Sequence, residues 1–223
     1  DYENADPRAT IENYDFDDNL GGNLFGSISW NELLEALENR LRDGGVEIRL
    51  SCPVRKIKNV RERGRTGFLL ETAQGTMYCR NLVMATTVMP ARRLLHDIIS
   101  TKTAKLLAFV APQPFLYIYA KVDIPRSERF FKEITGYTVV LPPVQKIIPF
   151  NREEGVYMIV YADNESARFM KNIRTLRELE MVVKKCTGLP VKLLDMRKFY
   201  WSCGTHYYKP LPPDVQVRDL LEA

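Results

Sequence analysis

Phe115, Tyr117 and Tyr119 alternate along one stretch of the chain, and Tyr157 and Tyr161 keep the same parity along another. Side chains two apart on a strand project to one face, so each group would share a face. If the two faces meet, they form an aromatic wall, a surface that excludes water and orients a small molecule against it. Aromatic stripes also build ordinary strand cores, and both readings stand at this point. The other reactive side chains are sparse. His206 lies in Trp201-Ser202-Cys203-Gly204-Thr205-His206-Tyr207-Tyr208, where a lone histidine first reads as a partner for a loop hydrogen bond. His96 follows Leu94-Leu95 on a helix and reads as a boundary residue. Cys52, Cys79, Cys186 and Cys203 are scattered without a CxxC pair, so no zinc-type ligand set can be assembled. With nothing else pointing to an oxidising compartment, they read as reduced, structural thiols.

The elements that must position these residues follow from periodicity. Ser29-Trp30-Asn31-Glu32 has the form of a capping box, Leu33, Leu34, Leu37 and Leu41 make one apolar stripe, and Gly44-Gly45 stops the helix. Short strands are predicted at Val46–Leu50, Val54–Val60, Gly67–Thr72 and Thr76–Cys79, with turns at Gly64 and Gln74-Gly75, giving a small antiparallel sheet. Asn81–Thr86 is a compact apolar run that reads as a buried strand, followed by a helix after Met89-Pro90. Past Thr101 a helical stretch runs to near Val110, then the aromatic strand Phe115–Val122, then strands at Tyr137–Leu141 and Val156–Tyr161. A helix is predicted from Thr175 to Cys186, closed by Gly188-Leu189-Pro190, and Val191–Trp201 is extended. The Pro-rich end leads into a short helical tail. The expected architecture is α+β, with a domain change near Ser100: residues 1–100 with an acidic N-terminal arm, and residues 101–223 with a mixed sheet flanked by helices.

Bulk properties exclude several classes. A chain of 223 residues, 45% hydrophobic and 27% charged, is long enough to bury a sizeable core. No run of eighteen apolar residues appears and the N-terminus does not look like a signal peptide, so no membrane partner is expected and the cytoplasm is the expected location. The net charge is +4, with seven acids against Arg8 in the first eighteen residues. The basic stretch Arg55–Arg65 alternates with Val54, Ile57 and Val60 and ends in Arg-Gly-Arg, as an exposed hairpin does. Nucleic acid is therefore not an expected partner.

The succession of a helix, Gly-Val-Glu-Ile-Arg-Leu, Pro-Val-Arg-Lys-Ile, a Gly-containing hairpin and Asn-Leu-Val-Met-Ala-Thr-Thr resembles the middle of the flavin-containing amine oxidases. The segment Trp201–Tyr208 resembles the aromatic stretch which those enzymes place near the flavin ring. The resemblance runs through most of residues 20–213. It implies that residues 1–100 are part of an FAD-binding domain and the remainder a substrate-binding domain. It further implies FAD contacts at Val54, Ala85, Thr86 and Trp201, and a substrate surface of Tyr117, Tyr119, Tyr157, Tyr161, His206 and Tyr207. The substrate would be a small amine or amino acid, oxidised at its C–N bond to an imine with release of hydrogen peroxide.

Departures from the family pattern qualify this. No Gly-x-Gly-x-x-Gly turn occurs, nor the closing Gly-Glu segment, so the chain reads as an internal fragment of such an oxidase, inactive when isolated. Where many members carry a lysine near flavin N5, Phe115 or Tyr117 stands here. Thr205 follows Gly204 where the monoamine oxidases have their flavin-bonded cysteine, so the FAD would be non-covalent. The rival reading is a non-catalytic binding or structural protein that keeps the oxidase fold without cofactor.

Overall fold

The computed structural model describes residues 29–62 and 65–213. The acidic arm, the Gly64 turn and the tail after Pro213 lie outside them. Contacts divide the described chain into two units. One holds the chain through Thr86 and Pro90–Leu106, the other Thr87–Met89 and Leu107–Leu211.

The first unit opens with α1 (Trp30–Asp43), which begins where the sequence predicts. The Ser29 hydroxyl accepts from the Glu32 N–H at 3.4 Å, and the Gly44 N–H donates to the Arg40 carbonyl at 3.1 Å. No residue of α1 is buried, and Leu34, Leu37 and Leu41 of its apolar stripe are all exposed. The expected strand at Val46–Leu50 does not form. Instead the Val46 N–H returns to the Leu41 carbonyl at 2.9 Å, which ties the segment to the helix end. Three strands follow, β1 (Val54–Glu62), β2 (Arg65–Thr72) and β3 (Gly75–Cys79), paired antiparallel in chain order. The Gln74-Gly75 turn is held by Thr72, whose hydroxyl donates to the Gly75 carbonyl at 2.7 Å and accepts from the Gln74 N–H at 3.0 Å.

Asn81–Thr86 is a second correction. It is not a strand, and Val83 is 86% exposed. An apolar run becomes a strand only when a neighbour takes up its backbone N–H and C=O groups, and no described strand pairs with it. Helices α2 (Val88–Leu95) and α3 (Thr101–Ala108) come next, burying Ala91, Leu94 and Leu106.

The second unit is built on five strands: β4 (Val110–Val122), β5 (Thr138–Val139), β6 (Lys146–Asn151), β7 (Val156–Asp163) and β8 (Leu193–Tyr208). Their spatial order is β5-β6-β7-β4-β8. Every pairing is antiparallel, which corrects the mixed sheet expected from sequence. The reason is topological. The chain leaves β7, passes through α5 (Asn164–Met170) and α6 (Leu176–Thr187), and returns as β8. That crossover makes β7 and β8 parallel to each other, but β4 lies between them and runs opposite to both. A shorter helix, α4 (Glu128–Glu133), lies between β4 and β5.

One face of this sheet carries the core. Leu116, Ile118, Ala120 and Val122 of β4 pack with Ala167 and Met170 of α5, Leu179 and Val183 of α6, and Phe130 of α4. Fully burying an aliphatic side chain of this size stabilises by about 1.5–3 kcal/mol, so this unit holds most of the described apolar burial. α6 is closed at both ends: Thr175 and Glu178 form a reciprocal capping box, and Gly188 adopts the left-handed conformation at φ 74°.

Candidate functional site

The opposite face of the five-stranded sheet is aromatic, and its composition follows from register. Phe115, Tyr117 and Tyr119 alternate with the core residues of β4. Tyr117 lies opposite Tyr161 on β7 and opposite Phe199 on β8, and Phe115 lies opposite Trp201. The rings touch. Tyr117 and Tyr161 have centroids 5.0 Å apart, Phe115 and Tyr161 5.0 Å, and Tyr117 and Trp201 5.3 Å. Trp201 stacks on Phe199 at 6.3 Å, Phe199 meets Tyr119 at 6.0 Å, and Tyr119 meets Phe150 of β6 at 5.6 Å. Seven rings therefore make one continuous surface, from Phe115 to Phe150. Most contacts are edge to face, the arrangement that ring quadrupoles favour.

Tyr157 is placed elsewhere. The sequence parity that groups it with Tyr161 is broken by an irregularity in the β4–β7 ladder, where Ile118 pairs with Val160 but Tyr119 pairs with Met158. Ile159 is the extra residue, a β-bulge that reverses the facing of everything before it. Tyr157 consequently pairs with Ala120 on the core side, is fully buried, and meets Phe130 at 5.5 Å. Its hydroxyl makes no hydrogen bond, and neither does the buried Nε of Arg152. Burial pushes the Tyr157 phenol up, with the neighbouring Arg152 guanidinium only partly opposing it. This tyrosine belongs to the core, so its expected place on the substrate wall is corrected.

His206 and Tyr207 pair with Pro112 and Ala111, past a second irregularity between Gln113 and Phe115. His206 is exposed and meets Tyr208 at 5.7 Å, and neither residue has a ring contact with the seven. Val54 opens β1, next to an irregularity in the β1–β2 ladder, while Ala85 and Thr86 lie in the exposed irregular segment before α2. Sequence reading did not select Phe150 and Phe199. Phe199 shares the parity of Trp201 on an extended segment, a signal that was present, whereas Phe150 depends on a strand not predicted.

The electrostatics of the face come from three elements. The Lys146 ammonium lies over the Tyr161 ring at 4.5 Å and 5.7 Å from that of Tyr137. The Asp163 carboxylate accepts from the Gln113 amide at 3.0 Å and the Gln145 amide at 2.9 Å, and the Asp163 N–H donates back to Gln145 at 2.9 Å. That closed set fixes Gln145, which has a positive φ of 65°, and with it the start of β6. Burial, and then Tyr117, push the Tyr119 phenol above its ordinary value, so it stays neutral at physiological pH. The face is thus an apolar surface of neutral rings with the Lys146 ammonium at its edge. Among the described residues no cluster could hold a metal ion.

No family model matches the chain, and neither does any curated protein. Solved structures do match. A protoporphyrinogen oxidase-like protein from Exiguobacterium sp. 255-15 superposes with a TM-score of 0.53 at 17% identity, over 79% of this chain and 40% of that one. Cyclohexylamine oxidase from Brevibacterium oxydans IH-35A gives 0.52 at 15% identity, over 71% and 37%. The chain shares its fold with these oxidases. It spans about two fifths of the length of each. Among the described residues no helix is long and apolar enough to cross a membrane.

Proposed function

We propose that the chain is part of an FAD-dependent oxidase acting on the C–N bond of an amine or amino acid, with the aromatic face of β4, β7 and β8 as its substrate surface. The observation that supports this most directly is the unbroken run of seven rings on a sheet whose other face is an ordinary core. The fold shared with two oxidases supports the redox class.

The residues fit the ring end of a flavin. Trp201 and Phe199 stack with an interplanar angle of 18° and are half exposed, a flat apolar surface suited to a planar heterocycle. Trp201 would lie beside the flavin ring, held non-covalently; Val54, Ala85 and Thr86 of the first unit are the further cofactor contacts that the family resemblance implies. Among the described residues no Gly-x-Gly-x-x-Gly turn offers itself to the pyrophosphate. Bound flavin would supply the redox chemistry. The chain's own part is to bind and orient. Tyr117, Tyr119 and Tyr161 desolvate the substrate nitrogen, which favours its neutral form, the form with a lone pair able to enter the new C=N bond. In the balanced reaction the substrate loses two electrons and two protons, and dioxygen gains them as hydrogen peroxide. The small molecule is the proposed partner, and nucleic acid and membrane are not.

The protein expressed from its complete reading frame should show a flavin absorption spectrum, release free FAD on heating, and generate peroxide with at least one amine or amino acid. A folded, colourless protein that takes up no added FAD would favour instead a binding protein with an oxidase fold. The aromatic side chain, Phe115 or Tyr117, that stands where the family resemblance would place a lysine supports that second reading.

A further inference from the structure

The aromatic face carries an uneven charge. By register Lys121 and Arg197 share the face of Tyr119, and Lys146 rests on Tyr161. Two acids share the face and are hydrogen-bonded: Asp195 accepts from its neighbouring Met196 N–H at 2.8 Å, and Asp163 is held between Gln113 and Gln145, leaving three cations against two carboxylates. Among the described residues no carboxylate forms an ion pair with Lys146. The rings of Tyr161 and Tyr137 satisfy one side of its ammonium, and an ammonium has three N–H donors to place. A fixed cation beside an apolar wall attracts an anionic end group and repels a cationic one.

From this we infer that Lys146 is a specificity-determining residue that receives the carboxylate of a substrate whose apolar part lies on Tyr161 and Tyr117. The inference rests on the reading of the aromatic face as a substrate surface, and it divides the two substrate classes named there. Carboxylate-bearing compounds are taken, and simple amines and polyamines are disfavoured. A single ammonium is a compact point charge rather than a planar fork, and it matches one carboxylate. Gln145 acts as a positioning residue. Its side-chain amide is locked to Asp163 at both ends, the N–H donating to the carboxylate and the oxygen accepting from the Asp163 N–H, and this sets the backbone from which Lys146 projects.

Binding can be read without flavin, from Trp201 fluorescence of the full chain in a Trp30→Phe background, titrated with 3-phenylpropionate, 3-phenylpropanol and 3-phenylpropylamine. The carboxylate should bind about tenfold tighter than the alcohol, as one charge-assisted hydrogen bond allows, and the amine more weakly than either. Lys146→Met should abolish the preference for carboxylate while leaving alcohol binding within about twofold, and Lys146→Arg should keep most of it. Equal affinity for all three ligands, tightest binding of the amine, an unchanged preference in Lys146→Met, or no binding of the carboxylate would each overturn the inference. A protein that binds FAD but shows no carboxylate preference would lose only this assignment. One that shows the preference but takes up no flavin would lose only the oxidase reading.

Discussion

Single residues on this sheet are constrained by what faces them. A Cβ added at Gly204 would lie 2.5 Å from the Phe115 Cβ and 3.3 Å from that of Trp201. Neither atom is the free end of a flexible chain, so the strands must part. Gly204→Ala should therefore destabilise the protein by about 1–3 kcal/mol, visible as a lower urea midpoint, and should disturb the Trp201 fluorescence. Tyr157→Phe should act in the other direction. Its hydroxyl is buried without a hydrogen bond, so removing it relieves a desolvation cost without breaking a partner. The variant should match or exceed the parent in stability. A loss beyond about 1 kcal/mol would show that Arg152 does hold the hydroxyl.

At the scale of elements, α6 depends on its cap. The Glu178 carboxylate accepts from the Arg174 and Thr175 N–H groups at 2.8 and 3.0 Å, and the Thr175 hydroxyl accepts from the Glu178 N–H at 3.2 Å. Thr175→Ala should cost about 1 kcal/mol, measured by thermal or urea unfolding. The hydrogen bonds from Arg174 and Thr175 hold the Glu178 carboxyl below its ordinary value of 4.5. A carboxylate depressed in the folded state contributes stability that is fully present above its unfolded value and lost as pH falls through the folded one. The stability lost between pH 5 and pH 3 should accordingly be smaller in Glu178→Gln than in the parent. The cap was partly legible in the sequence, since helix, start and Gly188 stop all follow from periodicity and turn chemistry. The capping box itself needs only Thr-x-x-Glu, and its pattern precedes the apolar stripe of Leu176, Leu179 and Val183. The bulge at Ile159 was not legible. It depends on how β7 meets β4, and the run Val-Tyr-Met-Ile-Val-Tyr carries no glycine or proline to mark it.

At the scale of the molecule, burial is lopsided. The continuous core lies in the second unit, whereas α1 in the first buries no residue. Native-state hydrogen exchange should show the strongest protection in β4 and β7, whose ladders are central, and little in α1. Protection of α1 equal to that of β4 would mean that its apolar stripe is covered in solution. The same stripe explains why α1 was the most readable helix. Amphipathic periodicity and caps are local, and they persist whether or not a partner covers the face.

What the sequence alone determined is therefore what depends on near neighbours: the helices α1 and α6 with their stops, the three-stranded hairpin sheet, and the alternation that puts Phe115, Tyr117 and Tyr119 on one face of β4. What only the tertiary structure decided is what depends on pairing. Pairing denied strands to Val46–Leu50 and Asn81–Thr86, made the second sheet antiparallel by inserting β4 between β7 and β8, and turned Tyr157 into the core through one extra residue. A strand's identity lies partly in its neighbours, because its hydrogen bonds leave the segment, and a shift of one residue in register exchanges its two faces. A helix closes its hydrogen bonds within itself, so its sequence speaks for it more fully.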